Sequence, residues 1–238
     1  MRIFIALFVQ LGILFVIIIM IMRNNAMDNQ KAKPVQPAIA VRYVAIGDSY
    51  TIGQGVAEKD RWPNVLNAHL NEAGLHAQLV ANTGVSGYTV EDVLDFQMER
   101  IVKENPDFVT VLIGANDSFA QKSTEIYRQD LQKLLDRLQT IVTIPRNIVL
   151  ITIPDFTKSP AFSLYEKEEM LSLIEQYNAI IREEGVRRNF TIVDIFPVSQ
   201  TMTSDEDYVL DGLHPSAQGY AKWERVIFPA VADIIKKS

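Results

Sequence analysis

The chain has 238 residues, 48% of them apolar and 22% charged, a composition that suits one folded domain with an appendage and not a disordered segment. It has no cysteine, which excludes disulfides, thiolate metal sites and cysteine nucleophiles while leaving the redox compartment open. The net charge of −6 divides unevenly: Arg2, Arg23, Lys31 and Lys33 against Asp28 leave +3 on residues 1–40, so residues 41–238 carry −9, and so acidic a body argues against nucleic acid as a partner.

From Ile3 to Met22 only Gln10 and Gly12 interrupt an apolar run of twenty residues, enough helix to span a bilayer's hydrocarbon core. The run is longer than the apolar region of a cleaved signal peptide and is followed by Arg23, without a small-residue cleavage site, which favours an uncleaved anchor over residues 1–23. Arg23, Lys31 and Lys33 outnumber Arg2 across the segment, a count that by itself favours a cytoplasmic body. Residues 24–40 are polar, contain Pro34 and Pro37 and show no hydrophobic period, so they read as a linker to a domain over 41–238.

That domain alternates strand and helix. Val41–Ile46 is an apolar strand, Trp62–Ala73 a helix with Pro63 in its first turn and Gly74 at its end, and Ala77–Ala81 a second strand. A helix over Val90–Val102 stops before Pro106, and Asp107–Ile113 is the third strand. An amphipathic helix over Thr124–Val142 precedes a strand over Asn147–Ile153, and a helix over Glu166–Glu184, closed by Gly185, precedes a strand over Thr191–Ile195. Ser216–Lys236 is the last helix. Continuous apolar strands alternating with helices predict an α/β fold, a five-stranded parallel sheet covered on both faces in a three-layer sandwich.

Ligands of such sheets bind beyond the carboxyl ends of the strands, and there the chain is unusually polar and glycine-rich. Strand one ends in Gly47-Asp48-Ser49, strand two is followed by Asn82 to Thr89 with Gly84 and Gly87, strand three by Gly114-Ala115-Asn116-Asp117, and the last helix is preceded by Asp211-Gly-Leu-His214. A serine nucleophile needs a base, a group that orients the base, and donors for an oxyanion. Of the three histidines, His69 falls on a helical stripe and His76 opens a strand, whereas His214 sits in a loop three residues after Asp211, where one imidazole nitrogen can meet the carboxylate while the other faces Ser49. Each motif alone has a plain structural reading: Ser49 and Ser216 as helix caps, Gly87 as a turn residue, Asn116 as a loop bond.

Taken together, Gly47-Asp48-Ser49, the Gly87 block, Gly-Ala-Asn116-Asp117 and Asp211-x-x-His214 resemble, in order and spacing, the SGNH hydrolases, also called the GDSL esterase/lipase family, over about residues 42–236. The resemblance implies a flavodoxin-like fold and a serine esterase acting on carboxylic or thioesters of lipids or O-acylated glycans. It implies Ser49 as nucleophile, His214 as base and acid, and Asp211 as its orienter, with the N–H groups of Ser49 and Gly87 and the Asn116 amide as oxyanion donors, no cofactor, no metal, and an extracytoplasmic domain. Tyr50 stands where the family name has leucine, which makes the pocket beside Ser49 this chain's own. The absence of a Gly-x-Ser-x-Gly elbow argues against an α/β-hydrolase. Phe156, Pro160, Phe162 and Tyr165 after strand four, with Tyr88 and Phe119, are expected to wall an acyl pocket. The rival readings are a non-catalytic anion-binding module over Ser49–Gly55, which has no need of His214, a metal hydrolase recruiting Asp48, Asp211 and His214, and acyl transfer to an envelope polymer through the same acyl-enzyme.

Overall fold

The computed structural model describes residues 40–163 and 167–237. The anchor expected at 1–23, linker residues 24–39, and Tyr165 and Glu166 lie outside these, and among the described residues no helix is long and apolar enough to cross a membrane.

Five parallel strands form one sheet: β1 (Val41–Gly47), β2 (Ala77–Asn82), β3 (Phe108–Leu112), β4 (Ile148–Ile151) and β5 (Thr191–Val193), in the order β2-β1-β3-β4-β5. The order reverses direction after β2, so right-handed crossovers place helices on both faces. On one face α1 (Ser49–Ile52) and α2 (Trp62–Glu72) follow β1. On the other come α3 (Val90–Asp92), α4 (Met98–Glu104), α5 (Ala115–Phe119), α6 (Thr124–Ile141) and α7 (Lys167–Arg188). The chain finishes with α8 (Phe196–Ser199) and α9 (Ala217–Lys236); α9 returns to pack on α2, while α6 packs on α7. Each helical layer is anchored by fully buried aromatic rings, Trp62 with Trp223 and Tyr220 on one side and Tyr127 stacked on Tyr177 at 3.8 Å on the other. Rings of this size dominate core energetics, and their edge-to-face and offset contacts fix the layers as well as drying them.

Four boundaries differ from expectation, each for a local reason. The helix expected to close at Gly185 runs through it to Arg188, because Gly185 lies against β5: a Cβ there would sit 2.6 Å from Ile192 Cγ1. The glycine is a packing contact, and the left-handed residue that ends the helix is Asn189 (φ 57°). The strand expected to reach Ile195 stops at Val193, since the N–H groups of Ile195 and Phe196 turn to Thr152 Oγ1 (2.9 and 3.2 Å), whose hydroxyl donates to Asp194 Oδ1 at 2.9 Å. Strand four ends at Ile151 because the N–H of Ile153 goes to Asn178 Oδ1 of α7 at 2.7 Å.

The helix expected over Val90–Val102 is also broken, by a π-turn at Val93–Gln97 between α3 and α4. The turn aims the buried Gln97 at the end of β1: its Nε2 donates to the Gly47 carbonyl at 2.8 Å, and its Oε1 accepts from Thr83 Oγ1 at 2.7 Å. Single π-turns are costly and tend to persist where they place a functional group, and this one secures the strand end that leads into Ser49.

Candidate active site

Asp48 caps the single turn of α1, its Oδ1 accepting from the Tyr50 N–H at 2.9 Å, so Ser49 is the first residue of that turn. One turn carries little macrodipole, so α1 adds less to an anion at Ser49 than a full helix would. Asp48 is fully buried, and burial pushes its carboxyl up to about 7, with the Tyr50 N–H opposing and the nearby Asp117 charge adding to the shift.

The loop ahead of α9 brings His214 to the same edge. Its shape comes from Asp211, whose Oδ1 accepts from the N–H groups of Leu213 (2.8 Å) and His214 (2.9 Å), while the Val209 N–H donates to the His214 carbonyl at 2.9 Å. The loop is pinned from outside by the Ala161 N–H on the Gly212 carbonyl (3.0 Å), by Lys222 on the buried Asp207 (2.6 Å), and by an isolated antiparallel bridge between Tyr208 and Pro215. Ser216 caps α9 through the Gly219 N–H at 3.2 Å, so the capping reading of this loop holds beside the His–Asp contact and does not compete with it.

Asp211 Oδ2 lies 2.7 Å from His214 Nδ1, and His214 Nε2 lies 2.8 Å from Ser49 Oγ. Partial burial works against the charge on Asp211, but the His214 N–H and imidazole, with the Leu213 N–H, outweigh it and hold its pKa below the ordinary carboxylate value. An ionised Asp211 can only accept, so Nδ1 carries the proton and Nε2 is left to accept from the serine hydroxyl. Ser49 and His214 are each 7% exposed, dry enough to strengthen these contacts and open enough for a substrate.

A cavity of about 120 Å³ opens above Ser49, lined by Ser49, Tyr50, Gln54, Gly87, Ala115, Asn116, Phe119, Leu213 and His214. Gly87 adopts φ 85°, and a Cβ there would meet nothing within 4 Å, so glycine is needed for the backbone conformation and not for room. The N–H groups of Ser49 and Gly87 have no protein acceptor among the described residues. Asn116 Nδ2 donates to the Tyr88 carbonyl at 2.9 Å and approaches Asp48 Oδ2 at 3.3 Å. Its loop is fixed by the buried Asp117, which accepts from the Val90 N–H at 3.1 Å and pairs with Lys122 at 3.0 Å.

The pocket expectations are met unevenly. Tyr50 is 3% exposed, its ring 5.4 Å from the His214 ring and 5.6 Å from Trp223, so it braces the imidazole as well as lining the cavity. Phe119 and Phe162 come together with Phe156 in one aromatic cluster. Tyr88 does not join them: its ring packs on Phe96 at 5.9 Å, and it meets the site only through its carbonyl. Tyr165 lies outside the described residues. His69, read as structural, pairs with Glu224 of α9 at 3.0 Å. Leu213, Ala115 and Gln54 line the cavity without having been singled out; Leu213 could have been found from its place between Asp211 and His214, but Gln54 gives no signal in the sequence.

The profile of the GDSL-like lipase/acylhydrolase family matches residues 45–222, three-quarters of the chain and every residue of this constellation. The chain belongs to that family. Among curated proteins, this GDSL-like chain is 28% identical over 176 residues to an acetylxylan esterase of Geobacillus stearothermophilus, covering 71% of each chain. It is 22% identical over 182 residues to an arylesterase of Vibrio mimicus, covering 74% of this chain and 81% of the relative. Among solved structures, a lipase/acylhydrolase from Enterococcus faecalis superposes with a TM-score of 0.67 at 24% identity, over 81% of this chain and 96% of that one, a likeness of fold. The GDSL-like enzymes act on ester bonds, and this chain is an esterase or acylhydrolase of that kind.

Proposed function

We propose that the chain hydrolyses carboxylic esters through an acyl-enzyme on Ser49. The observation that carries this reading is the continuous hydrogen-bonded line from Asp211 through His214 to Ser49 Oγ, with contacts of 2.7 and 2.8 Å, ending in a cavity that also holds Gly87 and Asn116. Ser49 Oγ attacks the ester carbon as its proton passes to His214 Nε2, and the carbonyl electron pair moves onto oxygen. The N–H groups of Ser49 and Gly87 receive that oxyanion. The Asn116 amide joins them by giving up its longer contact, the 3.3 Å approach to Asp48, while the Tyr88 carbonyl keeps its orientation. Collapse breaks the bond to the alcohol, which leaves with the imidazolium proton; water then repeats the sequence, with His214 as base, and releases the acid. Asp211, fixed as a carboxylate, holds the tautomer and steadies the imidazolium.

Ester-bearing lipids and O-acylated glycans are the substrate classes we assign, with acetylated xylan and aryl esters as the models that the relatives supply. We further assign residues 1–23 as a membrane anchor, on the length of the Ile3–Met22 run, and, on the family resemblance and against the small excess of Arg23, Lys31 and Lys33 over Arg2, an extracytoplasmic active site. Retention of the full chain in the membrane pellet after alkaline carbonate washing checks the anchor. For the reaction, the test is covalent labelling by a fluorophosphonate together with turnover of short nitrophenyl esters. Both are expected in the native enzyme, both lost in Ser49→Ala, and turnover lost in His214→Ala; a Ser49→Ala enzyme as active as the native one would sink the reading.

A further inference from the structure

Asp117 follows Asn116 in the chain and is fully buried, yet no step through the acyl-enzyme uses it. Its Oδ2 accepts from the N–H of Val90, the first residue of α3, at 3.1 Å, and its Oδ1 stands 3.0 Å from Lys122 Nζ. The second contact is one of charge, since the ammonium lies out of hydrogen-bond alignment with that oxygen. Lys122 is itself held from three elements: Asp130 of α6 lies 3.6 Å and Glu91 of α3 lies 3.7 Å from its ammonium, and the Tyr177 hydroxyl of α7 donates to its carbonyl at 2.6 Å. Burial raises the pKa of Asp117, and Lys122 with the Val90 N–H opposes the rise.

Two hydrogen bonds cross between the same short segments, in opposite directions. Asn116 Nδ2 donates to the Tyr88 carbonyl at 2.9 Å, and one residue further along each way the Val90 N–H donates to Asp117. The first segment carries one oxyanion donor, and the second leads directly out of Gly87, which carries another. Gly87 has little else to hold it: it is left-handed, with φ 85°, and upstream the Val85 N–H reaches the Gly47 carbonyl over 3.3 Å. A neutral side chain would satisfy the Val90 N–H as well as Asp117 does, and a buried ion pair is a poor way to gain stability. What the charge adds is a stronger hydrogen bond, and so a stiffer tie between the two donors.

We infer that Asp117 and Lys122 are positioning residues for ester hydrolysis: their ion pair clamps the start of α3 and so fixes Gly87 and Asn116 at the spacing that the oxyanion requires. The inference rests on the assignment of Ser49 as nucleophile and of these groups as its oxyanion donors.

The test breaks the tie at each end in the full-length enzyme, with nitrophenyl acetate as substrate and kcat counted per site titrated by a fluorophosphonate, so that unfolded protein does not enter. Val90→Pro deletes the N–H and leaves every charge in place; position 90 opens its helix and Thr89 before it is extended (φ −94°, ψ 175°), both of which proline accepts. Lys122→Met removes the cation. Each is expected to lower kcat about 10–10²-fold while KM changes less than about threefold, and Lys122→Arg to recover most of the loss. In an Asn116→Ala background Val90→Pro is expected to cost less than in the native enzyme, because one of the two donors it aligns is already gone. Native kcat in Val90→Pro, a loss carried by KM, a Lys122→Arg enzyme no better than Lys122→Met, or an undiminished cost of Val90→Pro in the Asn116→Ala background overturns the inference. Lys122→Met strands a buried carboxylate, so if it fails to fold Val90→Pro decides. Absence of both labelling and turnover in the native enzyme counts instead against the esterase reading itself.

Discussion

Asp48 is a buried carboxyl placed directly before Ser49, and its environment gives a stability prediction with a definite sign. Because its folded pKa is raised from 3.8 to about 7, the folded chain retains a proton across that interval which the unfolded chain has already released. Stability therefore falls as pH rises through this window and levels off above it. Replacing it as Asp48→Asn is expected to flatten the dependence, so that urea midpoints compared at pH 5 and pH 8 move less in the variant than in the native protein. Asp211 behaves in the opposite sense: its pKa is lowered, so its contribution is present above the ordinary carboxylate range and is lost on acidification. Its larger effect is on the reaction, since Asp211→Asn removes the charge that fixes the tautomer of His214; we expect kcat to fall by up to about 10⁴-fold while the domain stays folded. Asn116→Ala should cost about 10²–10³ in kcat with a smaller change in KM, the signature of a donor that acts on the transition state. At this scale the contact of Asp211 with His214 was legible in the sequence, because a histidine three residues from a carboxylate is a local geometry, whereas Ser49 meets His214 across 165 residues and only through the sheet edge. The sequence was less legible for Tyr50, whose ring braces His214 from a position fixed by Trp223 of the last helix.

Elements, and the irregularities within them, decide how firmly those side chains are held. The π-turn at Val93–Gln97 exists to carry one buried amide to the Gly47 carbonyl and the Thr83 hydroxyl. Gln97→Leu removes both bonds but leaves the Gly47 carbonyl its Val85 N–H at 3.3 Å and the Thr83 hydroxyl its Ala45 carbonyl at 3.1 Å, so the loss is that of two ordinary buried hydrogen bonds, about 0.5–1.5 kcal/mol each, which chemical denaturation would read as a lower midpoint. The same change loosens the end of β1, so we expect a drop in kcat/KM that outlasts any correction for unfolded protein. Gly185 gives a contrasting case. Its Cβ position lies within 3 Å of two Ile192 carbons, so Gly185→Ala overpacks the α7–β5 contact by about 1–3 kcal/mol. The atoms it meets belong to Ile192 and Leu150, not to Ser49, Asp211 or His214, and only stability is expected to move. Neither feature could be read from the chain alone: a glycine near a helix end looks like a stop, and a π-turn has the apolar period of the helix around it. What distinguishes them is a partner more than forty residues away for Gln97 on Gly47, and across the α7–β5 turn for Gly185.

Across the whole molecule, the site is assembled from four chain segments that share only a sheet edge: the turn after β1, the loop after β2, the start of α5 and the loop before α9. All of them, together with the core that supports them, lie within the compact unit Ala40–Ser238. A chain cut to residues 40–238 is therefore expected to fold and to match the full protein in kcat/KM on soluble esters, with any difference confined to esters presented in membranes; a truncated chain inactive on nitrophenyl acetate would contradict this. The amino-acid sequence by itself determined the alternation of strands and helices, and hence the parallel sheet, because a period of apolar residues is a local property that survives without knowledge of the fold. Through the family resemblance it also pointed to ester chemistry, because serine, glycine, asparagine and the Asp-x-x-His pair stand together, in order and spacing, where strands end and the last helix begins. Only the tertiary structure decided the shape of the space beyond Ser49. Phe119, Phe162, Met170 and Leu213 come from four separate stretches of chain, and whether they meet as a trough or scatter over the surface depends on how loops pack, which no local periodicity encodes.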